Sequence, residues 1–111
     1  YQAVVDALRD RVAFVQVGEK NPAHVHRPLK GVVDLIGKTS PRELFQVVHH
    51  GLGGLGPTTF VQHAHAALGK FYCCILGGRE PKWWCDYPTQ TTLSTMGQLP
   101  CCKDSACWKS R

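Results

Sequence analysis

Apolar residues recur at helical intervals at the start of the chain, where Val4, Val5 and Leu8 fall on one face of residues 1–10, and this spacing predicts a helix. The run Val12-Ala13-Phe14-Val15-Gln16-Val17 is almost continuously apolar and stops at Gly18, as a buried parallel strand would. Residues 19–30 are polar and proline-bearing and predict a loop; Val32-Val33-Asp34-Leu35 predicts a second, short strand. At Ser40-Pro41-Arg42-Glu43 a capping residue, a proline at the first helical position and a glutamate three residues after the cap stand in the order of a capping box. Leu44, Val47 and Val48 then mark one face of a helix that stops near His50-Gly51. Leu52-Gly53-Gly54-Leu55-Gly56 reads as a weak strand or a tight connection. Thr58 or Thr59 opens another helix over residues 60–68, ended by Gly69. Phe71-Tyr72-Cys73-Cys74-Ile75-Leu76 predicts a strand closed by Gly77-Gly78. Beyond Arg79 the periodicity dissolves, and Thr91-Thr92-Leu93-Ser94 is the one further strand candidate.

Apolar strands alternating with amphipathic helices predict an α/β fold, an open and mostly parallel sheet with flanking helices. Residues 1–88 carry that pattern, and residues 89–111 form an irregular, cysteine-rich extension of the same domain. A chain of 111 residues supports one modest core and excludes two complete nucleotide-binding domains. It opens directly into a predicted helix and stops within a cysteine-rich turn, so it reads as a piece of something larger.

Charge narrows the partners. The 13 Lys+Arg exceed the 8 Asp+Glu, giving a formal charge of +5, which favours an anionic partner. The basic residues are scattered, however, with no arginine arm and no zinc-finger or KH pattern, so nucleic acid is not the expected one. No apolar stretch is long enough to span a membrane. Cys73 and Cys74 lie inside a predicted strand, where free cysteines act as small core residues; with no secretory signal, this favours a reducing cytoplasm. The other thiols leave three readings open. Cys101, Cys102 and Cys107 lie close enough to share zinc, with Cys85 or a residue beyond Arg111 as fourth ligand, to form disulfides, or to stay free. His24-x-His26, His49-His50 and His63-x-His65 resist a zinc reading, because side chains two apart on a helix face different ways.

The segment Gly53-Gly54-Leu55-Gly56-Pro57-Thr58-Thr59 carries the main candidate chemistry. It joins a strand to a helix, where backbone N–H groups and the helix N-terminus suit a phosphate. The flexibility of Gly56, the hydroxyls of Thr58 and Thr59, and His63 one turn into the helix would serve a diphosphate. A tight turn with a threonine cap accounts for the same residues. Pro57 and the lack of a following lysine separate the segment from the P-loop and from the dinucleotide fingerprint. Lys38 and Arg79 are further phosphate or acceptor contacts, or solvated surface charges. Asp34 and Glu80 sit at strand ends without a partner acid, and no catalytic residue is assigned. Trp83 and Trp84 either close over a sugar or base or pack against the domain edge.

Leu35-Ile36-Gly37-Lys38-Thr39-Ser40 with Glu43-Leu44, the segment His63-Ala64-His65-Ala66-Ala67-Leu68-Gly69, and the strand from Phe71 to Leu76 with Gly77-Gly78, Pro81 and Trp84 together resemble glycosyltransferase family 9, the ADP-heptose:lipopolysaccharide heptosyltransferase group. The likeness covers residues 1–88. It implies the Rossmann-like C-terminal half of a GT-B enzyme, which holds an ADP-heptose or other nucleotide-sugar donor for inverting transfer to an anionic glycolipid in lipopolysaccharide or related glycan synthesis. No metal site is assigned; the resemblance implies a catalytic acid supplied by an N-terminal partner domain and a cytoplasmic location peripheral to the inner membrane. Thr58-Thr59-Phe60 departs from the family's Asp-Ser/Thr-Gly, which implies a differently shaped diphosphate loop. The alternative is a non-catalytic binding or structural domain that keeps the fold.

Overall fold

The computed structural model describes residues 1–22, 26–77 and 80–98. Its elements are α1 (Gln2–Leu8), β1 (Val15–Gln16), β2 (Val33–Asp34), α2 (Pro41–His50), β3 (Gly53–Gly56), α3 (Phe60–Ala67), β4 (Phe71–Leu76) and β5 (Gln90–Ser94), with a 3-10 turn at Lys82–Trp84 before β5. The fold is α/β, and the strand pairs among the described residues are parallel. They divide between a two-stranded sheet, β1-β2, and a three-stranded sheet in the order β3-β4-β5, where the sequence pattern suggested one open sheet. Two units result, Tyr1–Leu44 and Phe45–Arg111. No helix of the described residues is long and apolar enough to cross a membrane.

In the first unit the strands are much shorter than their apolar runs. Val15 pairs with Val33 and Gln16 with Asp34, and Val33 is 55% exposed. So short a ladder is marginal by itself, and side-chain amides supplement it. Gln16 donates to the Arg27 carbonyl at 2.9 Å and accepts from the Leu29 N–H at 3.0 Å. Gln2 of α1 holds Lys30 in the same way, donating to its carbonyl at 3.2 Å and accepting from its N–H at 2.9 Å.

The capping box forms as its spacing predicts. The Ser40 N–H donates to Glu43 Oε2 at 2.7 Å, and the Glu43 N–H returns to Ser40 Oγ at 3.3 Å. The Ser40 hydroxyl adds a second bond to the same carboxylate oxygen, also 2.7 Å. These donors hold the Glu43 carboxyl below its ordinary value, the backbone N–H contributing most.

In the second unit β4 is central. Gly54, Tyr72 and Gln90 share one row of the sheet, and Gly56, Cys74 and Thr92 the next. This is the face that α3 covers. Tyr72, Cys74 and Leu76 are buried there and Val61 packs against them. The opposite face carries Phe71, Ile75 and Leu93, all exposed. Gly54 is required by close approach: a Cβ there would lie 2.6 Å from both His65 Nε2 and Tyr72 Cδ2. The space it leaves lets the buried His65 ring lie beside Tyr72, with centroids 5.0 Å apart. His65 Nδ1 stands 2.7 Å from the Val61 carbonyl, so this histidine is a structural part of α3.

Candidate functional site

β3 ends at Gly56, and α3 begins at Phe60. The carboxyl end of a parallel strand therefore meets a helix N-terminus, with Pro57, Thr58 and Thr59 between them. Gly56 is buried, and a Cβ there would sit 2.5 Å from the Tyr72 hydroxyl. That hydroxyl donates to the Pro57 carbonyl at 3.1 Å and so anchors the start of the turn. Thr59 is extended at φ −151° and ψ 175° and stands at the N-cap, but its side chain makes no capping bond. Its carbonyl accepts from the N–H groups of Gln62 at 3.0 Å and His63 at 3.4 Å. The amides of Phe60 and Val61 precede these first helical bonds and face the N-terminal end.

The two threonines part company here. Thr58 Oγ1 lies 3.7 Å from Cys74 Sγ and accepts from the Cys85 thiol at 3.9 Å. Its hydroxyl is thus turned inward onto two buried sulfurs, whereas Thr59 is exposed. Burial pushes the Cys74 thiol up, and the Thr58 contact offsets part of that effect. Cys73, Cys74 and Cys85 are all free thiols.

The crossover from β4 to β5 closes beside α3. Gln62, fully buried, donates to the Cys85 carbonyl at 3.1 Å and to Gln90 Oε1 at 2.8 Å. Gln90 returns a bond to the Gln62 carbonyl at 3.0 Å. Between these two anchors the Tyr87 hydroxyl stands 2.7 Å from His63 Nδ1, with the rings edge to face. Tyr87 carries no signal in the sequence pattern, because nothing local to either residue brings the two together.

Compared with family models, curated proteins and solved structures, the chain matches none of them.

The remaining sequence candidates lie elsewhere. Lys38 belongs to the first unit, where it donates to the Asp34 carbonyl at 2.8 Å and to Asp34 Oδ2 at 3.0 Å. Asp34 also accepts from the Ile36 N–H at 3.0 Å. That bond first, and the Lys38 ammonium second, hold its carboxyl below the ordinary value. With Lys20, Asn21, Pro22, His26 and Ile36, this ion pair lines a cavity of about 420 Å³ beyond the ends of β1 and β2. Arg79 lies outside the described residues, as do Cys101, Cys102 and Cys107, the zinc candidates. Among the described residues no group of three or more His, Cys, Asp or Glu comes together to hold a metal ion. Trp83 and Trp84 pack against each other edge to face at 5.7 Å; Trp83 is 76% exposed, so this pair is not buried against the sheet.

Chemically, the β3–α3 turn presents two helix-end amides, the exposed Thr59 hydroxyl and the His63 ring. All are suited to holding an anion by hydrogen bonds.

Proposed function

We propose that the second unit binds the diphosphate of a nucleotide-sugar donor, an ADP-sugar, at the β3–α3 turn. It would do so as the donor half of an inverting glycosyltransferase of lipopolysaccharide or related glycan synthesis. The observation that carries this reading is the turn itself. A parallel strand delivers a glycine to the N-terminus of α3, and His63 follows one turn later. Helix amides and the positive end of the helix dipole stabilise phosphate oxygens there. In a transfer reaction the same donors would stabilise the charge gathering on the departing diphosphate. Catalytic acid and acceptor contacts would come from a partner domain, and this chain by itself would bind rather than turn over.

A second reading has its own support. Thr58 Oγ1 is committed to two thiols, and Phe60, 53% exposed, occupies the first helical position where the resembled family has glycine. Both features suit a binding or structural domain that has kept the fold without the donor. An NMR titration with ADP and with an ADP-sugar separates the two. The donor reading expects shifts at residues 53–63 that saturate. Silence of those amides at millimolar ligand would leave the second reading standing.

A further inference from the structure

We infer that Tyr87 is the positioning residue of His63: its hydroxyl donates to Nδ1, so the neutral ring carries its proton on Nε2. The consequence for phosphate binding rests on the donor reading above; the assignment of the proton does not.

Tyr87 is held for this task. Three residues to its C-terminal side, Gln90 is bonded through its side chain to Gln62 in both directions, and its N–H donates to the Tyr87 carbonyl at 2.9 Å. On the N-terminal side the Cys85 carbonyl is bonded to the same Gln62. The residue before His63 thus fixes the crossover on both sides of Tyr87, and the hydroxyl arrives 2.7 Å from Nδ1.

The direction of the bond follows from the two partners. A phenol ionises near pH ~10 and is the stronger donor, while an imidazole nitrogen that protonates near pH ~6.5 is the stronger acceptor. The reverse pairing, ring N–H onto phenol oxygen, joins the weaker donor to the weaker acceptor. With Nδ1 occupied as an acceptor, Nε2 must bear the hydrogen. His63 then offers an N–H from Nε2 whether the ring is neutral or charged, so an anion that reaches Nε2 would meet a donor in either state. Were the tautomer reversed, the neutral ring would offer such an anion only a lone pair at Nε2.

Long-range nitrogen–proton correlation spectra of the ligand-free protein, recorded where His63 is neutral, test the assignment directly. The expected pattern is an unprotonated Nδ1 and a protonated Nε2, with Tyr87→Phe moving Nδ1 toward a mixture of tautomers. A protonated Nδ1 in the native protein, or His63 signals unchanged by Tyr87→Phe, would overturn it. If ADP binds the native chain, Tyr87→Phe is expected to weaken it about two- to tenfold, the size of one neutral hydrogen bond. The same substitution in a His63→Gln background is expected to change ADP affinity little. An equal loss in both backgrounds would make Tyr87 a structural residue and sink the inference. If ADP does not bind the native chain, the donor reading fails, and the nitrogen spectra still decide the tautomer.

Discussion

Two threonine-or-serine caps in this chain look alike in sequence and differ at the level of atoms. Ser40 exchanges hydrogen bonds with Glu43 in both directions, whereas Thr59 holds the cap position of α3 with no side-chain bond. Ser40→Ala should therefore cost about 1 kcal/mol, and Thr59→Ala close to nothing, in urea unfolding at neutral pH. The Glu43 carboxyl lies below its ordinary value in the fold, so its contribution is complete above the unfolded carboxylate range. It is lost as pH falls through the lowered value, and the gap between the two variants should narrow on acidification. The thiols give a second contrast. Cys74 is fully buried with its ionisation pushed up, and Cys85 is buried too, but Cys73 is only half-buried. Because the thiolate is the reactive form, iodoacetamide should label Cys73 ahead of Cys74 and Cys85 in the native protein, as read by peptide mass spectrometry.

Among the elements, legibility followed the source of each one's stability. β4 was readable from residue to residue because a run of apolar side chains between glycines has few other uses, and the Ser40–Glu43 box because it is local. β1 and β2 are shorter than their apolar runs: the ladder covers two residues, backbone bonds continue only from Phe14 to Gly18, and glutamine amides hold residues 27–30 beside it. β5 forms where the sequence placed a strand, one residue longer at its start, though its signal was weaker than that of β4. Its inward positions are Gln90, Thr92 and Ser94, which meet the row of β4 side chains and Gln62 rather than an apolar layer. A pattern search for alternating hydrophobics finds little there. Of the candidate site, the glycine-led turn could be read, since strand, glycine, threonine and helix follow one another in the chain. The inward turn of Thr58 and the partner of His63 could not, as both depend on the crossover folding back. The contact of α3 with the sheet yields a further test. Gly54→Ala places a methyl against His65 and Tyr72, neither of which has room to yield, and should cost about 1–3 kcal/mol by overpacking. Thermal unfolding would report it, with the His65 ring resonances shifting in whatever fraction remains folded.

For the whole chain, size set an expectation of one modest core, where the structure divides into two units, and the positive balance set an expectation of an anionic partner. What neither expectation contained was the order in which the parts come together. Gly53 pairs with Phe71 and Tyr72 with Gln90, the same distance along the chain, so the two parallel pairings close loops of equal length at nearly equal entropic cost. Their contents differ. One loop holds α3, which packs on the sheet through Val61; the described residues of the other between β4 and β5 carry only the short turn at Lys82–Trp84. The helix-bearing loop should close first, since local structure offsets its closure cost. Val61→Ala is then expected to slow folding, and Gln90→Ala mainly to speed unfolding, in stopped-flow measurements. On this order β5 is the last strand to dock, and Tyr87 reaches His63 only with it. The β3–α3 turn would exist early, but on the assignment inferred above His63 would gain a fixed proton only when β5 has docked.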